Sequence, residues 1–223
     1  MLPRALALRL RREWLSRRVV NGRGYREGDV DLLPQLLKPT DICWDIGANS
    51  GTYTAPMSRL AAKVFAFEPV PHNFEILEAV TRLGRLHNVA AHRIAISDTS
   101  GTARMSIPTE GFYGGYYMAA LDAAGALEVR TATIDGLIAE GVPEPDFIKC
   151  DVEGAEARVV NGARSLIARR HPVWLLETFE DAVLTLMESL GYSTHVHSEH
   201  GRIVRVRART EARNYLFLPA DRS

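Results

Sequence analysis

The chain is poor in cysteine, has no net charge and holds no long apolar run, and each absence removes a class of protein. Its two cysteines, Cys43 and Cys150, each lie in an apolar run just before an aspartate. Their number and spacing suit neither a disulfide framework nor a metal site, so they read as buried free thiols in a reducing compartment. Lysine plus arginine (27) equals aspartate plus glutamate (27), which gives no general pull toward nucleic acid. No apolar run approaches the ~20 residues that cross a bilayer, so no transmembrane segment is expected. The N-terminus also lacks a basic tip followed by an apolar stretch, the mark of a signal peptide. A cytoplasmic location is the expectation.

What the chain does have is enough for one domain. It is 223 residues long and 46% hydrophobic, sufficient for a core without disulfides or metal. The neutral total conceals an asymmetry: residues 1–26 carry eight arginines and one acid, Glu13. Met1 to about Val20 reads as a helix, with Leu2, Leu6, Leu10 and Trp14 recurring every four residues and Leu8 and Leu15 off that stripe. Its arginines suit solvent. A basic surface for an anionic lipid or an acidic partner is the sharper alternative. The division is then a basic helical extension, residues 1–30, and a main domain, residues 31–223.

From Asp31 onward strands and helices alternate. Ile42–Ile46, Val64–Phe67, His92–Ile96, Phe147–Cys150 and Val173–Leu176 read as strands. Residues 51–62, 72–84, 155–169 and 181–190 read as the helices between them. This order indicates a parallel sheet covered on both faces, with right-handed crossovers. The last thirty residues hold strand-like runs with no helix between them, so an antiparallel hairpin closes the sheet. The expected fold is α/β, doubly wound and Rossmann-like, with a mostly parallel seven-stranded sheet. Residues 108–128, rich in glycine, alanine and tyrosine, break the alternation and read as a long binding loop or lid.

Asp45-Ile-Gly-Ala-Asn-Ser-Gly-Thr-Tyr-Thr54 leaves a buried strand and enters a helix, at the edge where ligands of such folds bind. Gly47 and Gly51 let backbone approach a ligand, Asn49 offers a donor and an acceptor, and Ala48 and Thr52 complete the turn. The next strand ends in Glu68-Pro69, where a carboxylate can accept from both hydroxyls of a ribose. A glycine turn with an acid about 20 residues later is the general signature of an adenosine-containing ligand. Dinucleotides require G-x-G-x-x-G, whereas the spacing here is Gly47-x-Asn49-x-Gly51 with Asp45 in the same turn. That carboxylate would repel a pyrophosphate and attract an ammonium, which favours S-adenosylmethionine over NAD.

These two segments, with Phe67-Glu-Pro-Val-Pro-His-Asn-Phe74 extending the second, closely resemble the FkbM methyltransferase family. So do Ala95-Ile-Ser-Asp98, Phe147-Ile-Lys-Cys-Asp-Val-Glu-Gly-Ala-Glu156 and Asn214-Tyr-Leu-Phe-Leu-Pro219. The resemblance covers about residues 25–219. It implies a class I methyltransferase fold, S-adenosylmethionine as donor, and commonly O-methylation of sugars or secondary metabolites. Cys150, where an aliphatic residue is usual, and the composition of the 108–128 loop depart from the family.

The donor of such a reaction is already activated, so the protein must align the acceptor and deprotonate its hydroxyl. Asp151, at the end of the fourth strand, is the expected base or acceptor-orienting group, assisted by Glu153 or Glu177; alternatively it holds the cofactor's amino group. Glu156 supports the helix N-terminus or joins this set. A divalent cation between Asp151 and Glu177 is a lesser alternative, and no metal is assigned. Ser97 and Asp98 are placed to meet the adenine, although Asp98-Thr-Ser-Gly101 also reads as a hairpin turn. No histidine sits at a strand's carboxyl end with a partner, and His195, His197 and His200 read as solvated. Tyr113, Tyr116 and Tyr117 are the expected substrate contacts, on a loop made pliable by Gly114-Gly115. The partner is a small-molecule hydroxyl acceptor, not nucleic acid, and the chain could pair as a homodimer. The rival readings are an NAD-linked oxidoreductase, a non-catalytic S-adenosylmethionine-binding module, and a nucleic-acid methyltransferase, the last disfavoured by the missing Asn/Asp-Pro-Pro-aromatic run.

Overall fold

The computed structural model describes residues 4–23, 28–107, 119–198 and 201–220. Helix α1 (Arg4–Val20) comes first, then a 3-10 turn (Gly28–Leu32) and the single turn α2 (Leu33–Leu36). The first half of the main sheet follows as β1 (Ile42–Ile46), α3 (Thr54–Leu60), β2 (Lys63–Phe67), α4 (Pro71–Leu83) and β3 (Val89–His92). A second, smaller sheet is built from β4 (Ala95–Ile96), β5 (Gly101–Ser106), β6 (Ala120–Leu121) and β7 (Leu127–Ala132). The chain then returns through α5 (Ile134–Ala139), β8 (Phe147–Cys150), α6 (Glu156–Asn161), α7 (Arg164–Arg170), β9 (Val173–Glu177) and α8 (Asp181–Ser189). It closes with β10 (Tyr192–His197), β11 (Ile203–Arg205) and β12 (Asn214–Pro219).

The main sheet runs β11-β10-β12-β9-β8-β1-β2-β3. Strands β9, β8, β1, β2 and β3 are parallel, and β12 lies antiparallel between β9 and β10. The doubly wound class is as expected, with eight strands rather than seven. The chain leaves β1 toward β2 and later returns to β8 on its other side. Their carboxyl ends therefore form the switch-point crevice where ligands of open α/β sheets bind.

Side-chain alternation along the strands fills both faces. Trp44, Ile46, Phe67, Ile148, Trp174 and Leu176 join one core with residues of α6, α7 and α8, such as Val160, Leu166 and Met187. Cys43, Val64, Phe147 and Leu175 join the opposite core with Leu33, Tyr53 and Met57. Each fully buried large side chain contributes ~1.5–3 kcal/mol. Both cysteines are buried and free, and burial pushes both thiols up, so they are inert core residues.

Four details depart from the sequence reading. The expected strand His92–Ile96 divides: β3 ends at His92 in the main sheet, and β4 pairs with β7 in the second. The expected helix over 155–169 breaks at Gly162, where a side chain would come within 2.2 Å of the Ser97 carbonyl oxygen. Residues 98–101 are no hairpin turn, because β7 lies between β4 and β5. His195 is buried, with Nδ1 3.1 Å from the Ser193 carbonyl, and His197 lies 3.4 Å from Asp29, so neither is freely solvated. His200 lies outside the described residues, as do Tyr113, Tyr116 and Tyr117.

Candidate functional site

A cavity opens at the carboxyl ends of β1, β2 and β8. Gly47, Asn49, Glu68, Pro69, Asp151 and Glu153 line it on that side. The opposite wall is apolar: Ile94 and Ile96 with Met105, Ala119 and Leu121, mostly from the second sheet.

The loop after β1 owes its shape to backbone. Gly47 (φ 77°) and Gly51 (φ 88°) are left-handed, and so is Asn49 at φ 48°, a residue that tolerates that region better than most. A Cβ on Gly47 would fall 1.7 Å from the Asp151 carbonyl oxygen, so no side chain fits between β1 and β8. Gly51 instead faces Leu77 and Val80 of α4 and serves packing. The amides of Gly47 and Ala48 both donate to the Phe67 carbonyl at 3.0 Å, which fixes the loop to the end of β2.

Glu68 is the hinge of this arrangement. Its Oε2 accepts from the Asn49 amide and its Oε1 from the Val70 amide, each at 2.8 Å, and Asn73 also hydrogen-bonds the carboxylate. Burial raises its pKa to about 7, assisted by the nearby Asp45 charge and opposed by those three hydrogen bonds. A carboxylate offers about four acceptor positions, so one remains for a ligand hydroxyl. Asp45 itself lies beneath the loop. It is 2% exposed and accepts from the Thr54 hydroxyl at 2.5 Å. Its register partner on β8 is Lys149, also buried, whose Nζ donates to Asn214 Oδ1 at 3.2 Å and sits 4.9 Å over the Tyr53 ring. Such partners reduce the cost of burying charge.

The segment after β8 is strained where it meets the cavity. Glu153 has φ 52° and is followed by Gly154 at φ 93°; left-handed non-glycine residues mark places where the surroundings impose a conformation. Glu153 is exposed at the cavity rim, but desolvation by the surrounding protein raises its pKa to about 7; the Asp151 and Glu156 carboxylates add to this, while Arg213 and Lys149 offset it. Glu156 is committed to the local backbone instead. Its carboxylate accepts from the Gly154 amide at 2.9 Å and from other amides of the same turn.

The remaining sequence-derived candidates sit apart from the lining. Ser97 is buried behind the second sheet and donates to Asp98 Oδ1 at 3.1 Å. Asp98 is exposed. Ala48 is buried, Thr52 half-buried, and neither lines the cavity. Glu177 ends β9 on the same rim, half-buried, opposite Asn214. His92 ends β3 rather than beginning a strand, and its ring stacks on Phe67 at 5.4 Å while burial lowers its pKa. It is half-buried between aromatic neighbours. Sequence reasoning missed Asn73, which lies inside the Pro-Val-Pro-His-Asn-Phe segment, and the whole apolar wall.

The sequence matches the family described as Methyltransferase FkbM domain over residues 45–194, from the first residue of the glycine loop to β10. Hexuronic acid methyltransferase AglP of Haloferax volcanii is 32% identical over 139 residues, 60% of this chain and 56% of that protein. The 31-O-demethyl-FK506 methyltransferase FkbM of Streptomyces tacrolimicus is 27% identical over 208 residues, 72% of this chain and 75% of that protein. A solved FkbM methyltransferase from Methylobacillus flagellatus superposes with a TM-score of 0.57 at 18% identity, covering 82% of this chain and 44% of that one. The last likeness supports the fold. The match thus spans little more than half of the Haloferax protein.

Proposed function

The chain belongs to the FkbM methyltransferase family, and on that premise we propose that it is an S-adenosylmethionine-dependent O-methyltransferase. Its acceptor is a hydroxyl on a small molecule, a sugar or secondary metabolite, and its place of action is the cytoplasm. When bound, S-adenosylmethionine supplies a methyl group already activated on a sulfonium.

The residues present suit that cofactor. Gly47 leaves a groove that a Cβ would fill, and Glu68 has one free acceptor position beside Asn73, so the pair can share the two hydroxyls of a ribose. The apolar wall, with Ile96 and Phe67, suits the flat face of an adenine. The buried Asp45 carboxylate adds the negative field that a methionine ammonium requires.

The observation that carries the reading is that Glu153 and Asp151 line the same cavity as Gly47 and Glu68, in surroundings that raise the Glu153 pKa to about 7. A carboxylate poised at neutral pH can take the proton of an acceptor hydroxyl as its oxygen attacks. Asp151, beside it on the lining, orients that hydroxyl. Glu177 lies one strand further along the rim and holds a more distant part of the acceptor. There Arg213, whose guanidinium is 5.7 Å from the exposed Phe179 ring, suits a ring that carries an acid group. The uronic acid named for the Haloferax relative is such a compound.

The test is incubation with S-adenosylmethionine and a panel of uronic acids, neutral sugars and phenols, followed by mass spectrometry of products. The expected result is an O-methylated product from the wild type and its loss in Glu153→Gln with cofactor binding retained. Methylation confined to amine acceptors would overturn it.

A further inference from the structure

Helix α1 takes no part in the site, and its two faces differ. Leu15, Val19 and Val20 pack on Ile76, Val80 and Leu86. Ser16 is buried between α1 and α4 and donates to the Arg12 carbonyl at 2.9 Å. Arg12 pairs with Glu75 of α4. Among the described side chains that face is engaged, so this part of α1 packs on the domain.

The opposite face carries Leu10, Trp14, Arg17 and Arg18, spaced i, i+4, i+7 and i+8, which places them on one side of the helix. Leu10 is 49% and Trp14 54% exposed, and both arginines are exposed. The Arg18 guanidinium lies over the Trp14 ring, 4.8 Å from its centroid. Large apolar side chains that solvent leaves uncovered, set among cations, call for an occupant that is apolar and anionic at once. Charge complementarity points the same way. Residues 1–26 hold eight arginines against one acid, and the other 197 residues hold 19 basic against 26 acidic side chains. This segment is thus strongly basic while the rest of the chain is acidic on balance. A nucleic acid would satisfy the arginines and could stack a base on Trp14, but would leave Leu10 in water.

We propose that the outward face of α1 docks the enzyme on an anionic phospholipid bilayer, with Trp14 and Leu10 entering the headgroup boundary and Arg17 and Arg18 meeting lipid phosphates. Tryptophan is the residue most at home at that boundary, and each arginine near an anionic surface adds to the attraction. No described helix is long and apolar enough to cross a membrane, so the attachment is peripheral and reversible. The inference stands apart from the catalytic reading.

The chain supplies its own probe. Of three tryptophans, Trp44 and Trp174 are 0% exposed, so a change in emission on adding vesicles reports Trp14. The experiment adds the full chain to vesicles of phosphatidylcholine alone, of phosphatidylcholine with phosphatidylglycerol, and of the latter with brominated acyl chains. The expected result is co-sedimentation and blue-shifted emission with the anionic vesicles only, reversed by salt and quenched by the brominated lipid. Arg17→Glu with Arg18→Glu should weaken sedimentation by at least ~10-fold, and Trp14→Ala should remove the spectral response. Both variants should keep S-adenosylmethionine binding, which shows that they fold. No sedimentation, equal sedimentation with neutral vesicles, or binding of an RNA oligonucleotide in place of anionic vesicles would overturn the proposal.

Discussion

The two walls of the cavity are built by different means. One, formed by Gly47, Asn49, Glu68, Asp151 and Glu153, consists of backbone in unusual conformations and carboxylates, of which Glu68 is held by amides. The other, formed by Ile96, Met105, Ala119 and Leu121, consists of ordinary side chains on a small sheet. The first wall has one solution, because the Gly47 position and the Glu68 hydrogen bonds leave no room for alternatives. The second has many, because apolar surfaces tolerate swaps that conserve volume. The polar end of a fixed cofactor therefore belongs with the first wall and its adenine with the more tolerant second, while a variable acceptor belongs with the rim.

Substitutions should reproduce that contrast. Glu153→Gln, which keeps shape and removes the base, should lower kcat by ~10²–10⁴ with little change in cofactor affinity, read by single-turnover methyl transfer. Gly47→Ala should weaken S-adenosylmethionine binding by at least ~100-fold, since an added methyl collides with the Asp151 carbonyl and φ is positive; calorimetry reads this directly. Equal tolerance of alanine at Gly47 and at Met105 would erase the distinction between the walls.

The pH dependence follows from Glu68. Its pKa near 7 means that the carboxyl is protonated below that pH and loses acceptor capacity toward a ribose. Cofactor affinity should therefore fall by up to about tenfold per pH unit below 7 and level off above it. The same profile in Glu153→Gln assigns it to Glu68. On the second wall, Met105→Leu should change cofactor affinity by less than ~10-fold. Asp98→Ala, at an exposed turn, should change stability by no more than ~0.5 kcal/mol.

The same contrast governs what can be read from the sequence. Strands β1, β2, β8 and β9 are short apolar runs ending in glycine or acid, so the first wall is legible from residue types alone. The second sheet is not. Its strands β5 and β7, Gly-Thr-Ala-Arg-Met-Ser and Leu-Glu-Val-Arg-Thr-Ala, are half-exposed, and β4 finds its partner β7 more than thirty residues away. Pairing at that separation leaves no local pattern. Ser97 is expected at the ligand because it follows a strand; that strand changes sheets, and Ser97 goes with it. Asp45 is expected to meet the ligand as well, and strand alternation turns it instead toward Thr54 on the α3 side. The left-handed turn at Glu153 has one clue, the glycine that follows it.

The central claim is that this crevice holds S-adenosylmethionine through Glu68. Calorimetric titration of the purified, cofactor-free protein with S-adenosylmethionine and separately with NAD, each repeated on Glu68→Ala, tests it most directly. The account predicts binding of S-adenosylmethionine alone, weakened by about 10–100-fold in the variant through loss of charge-assisted hydrogen bonds. Binding of NAD, or no binding of S-adenosylmethionine by a folded sample, would contradict it.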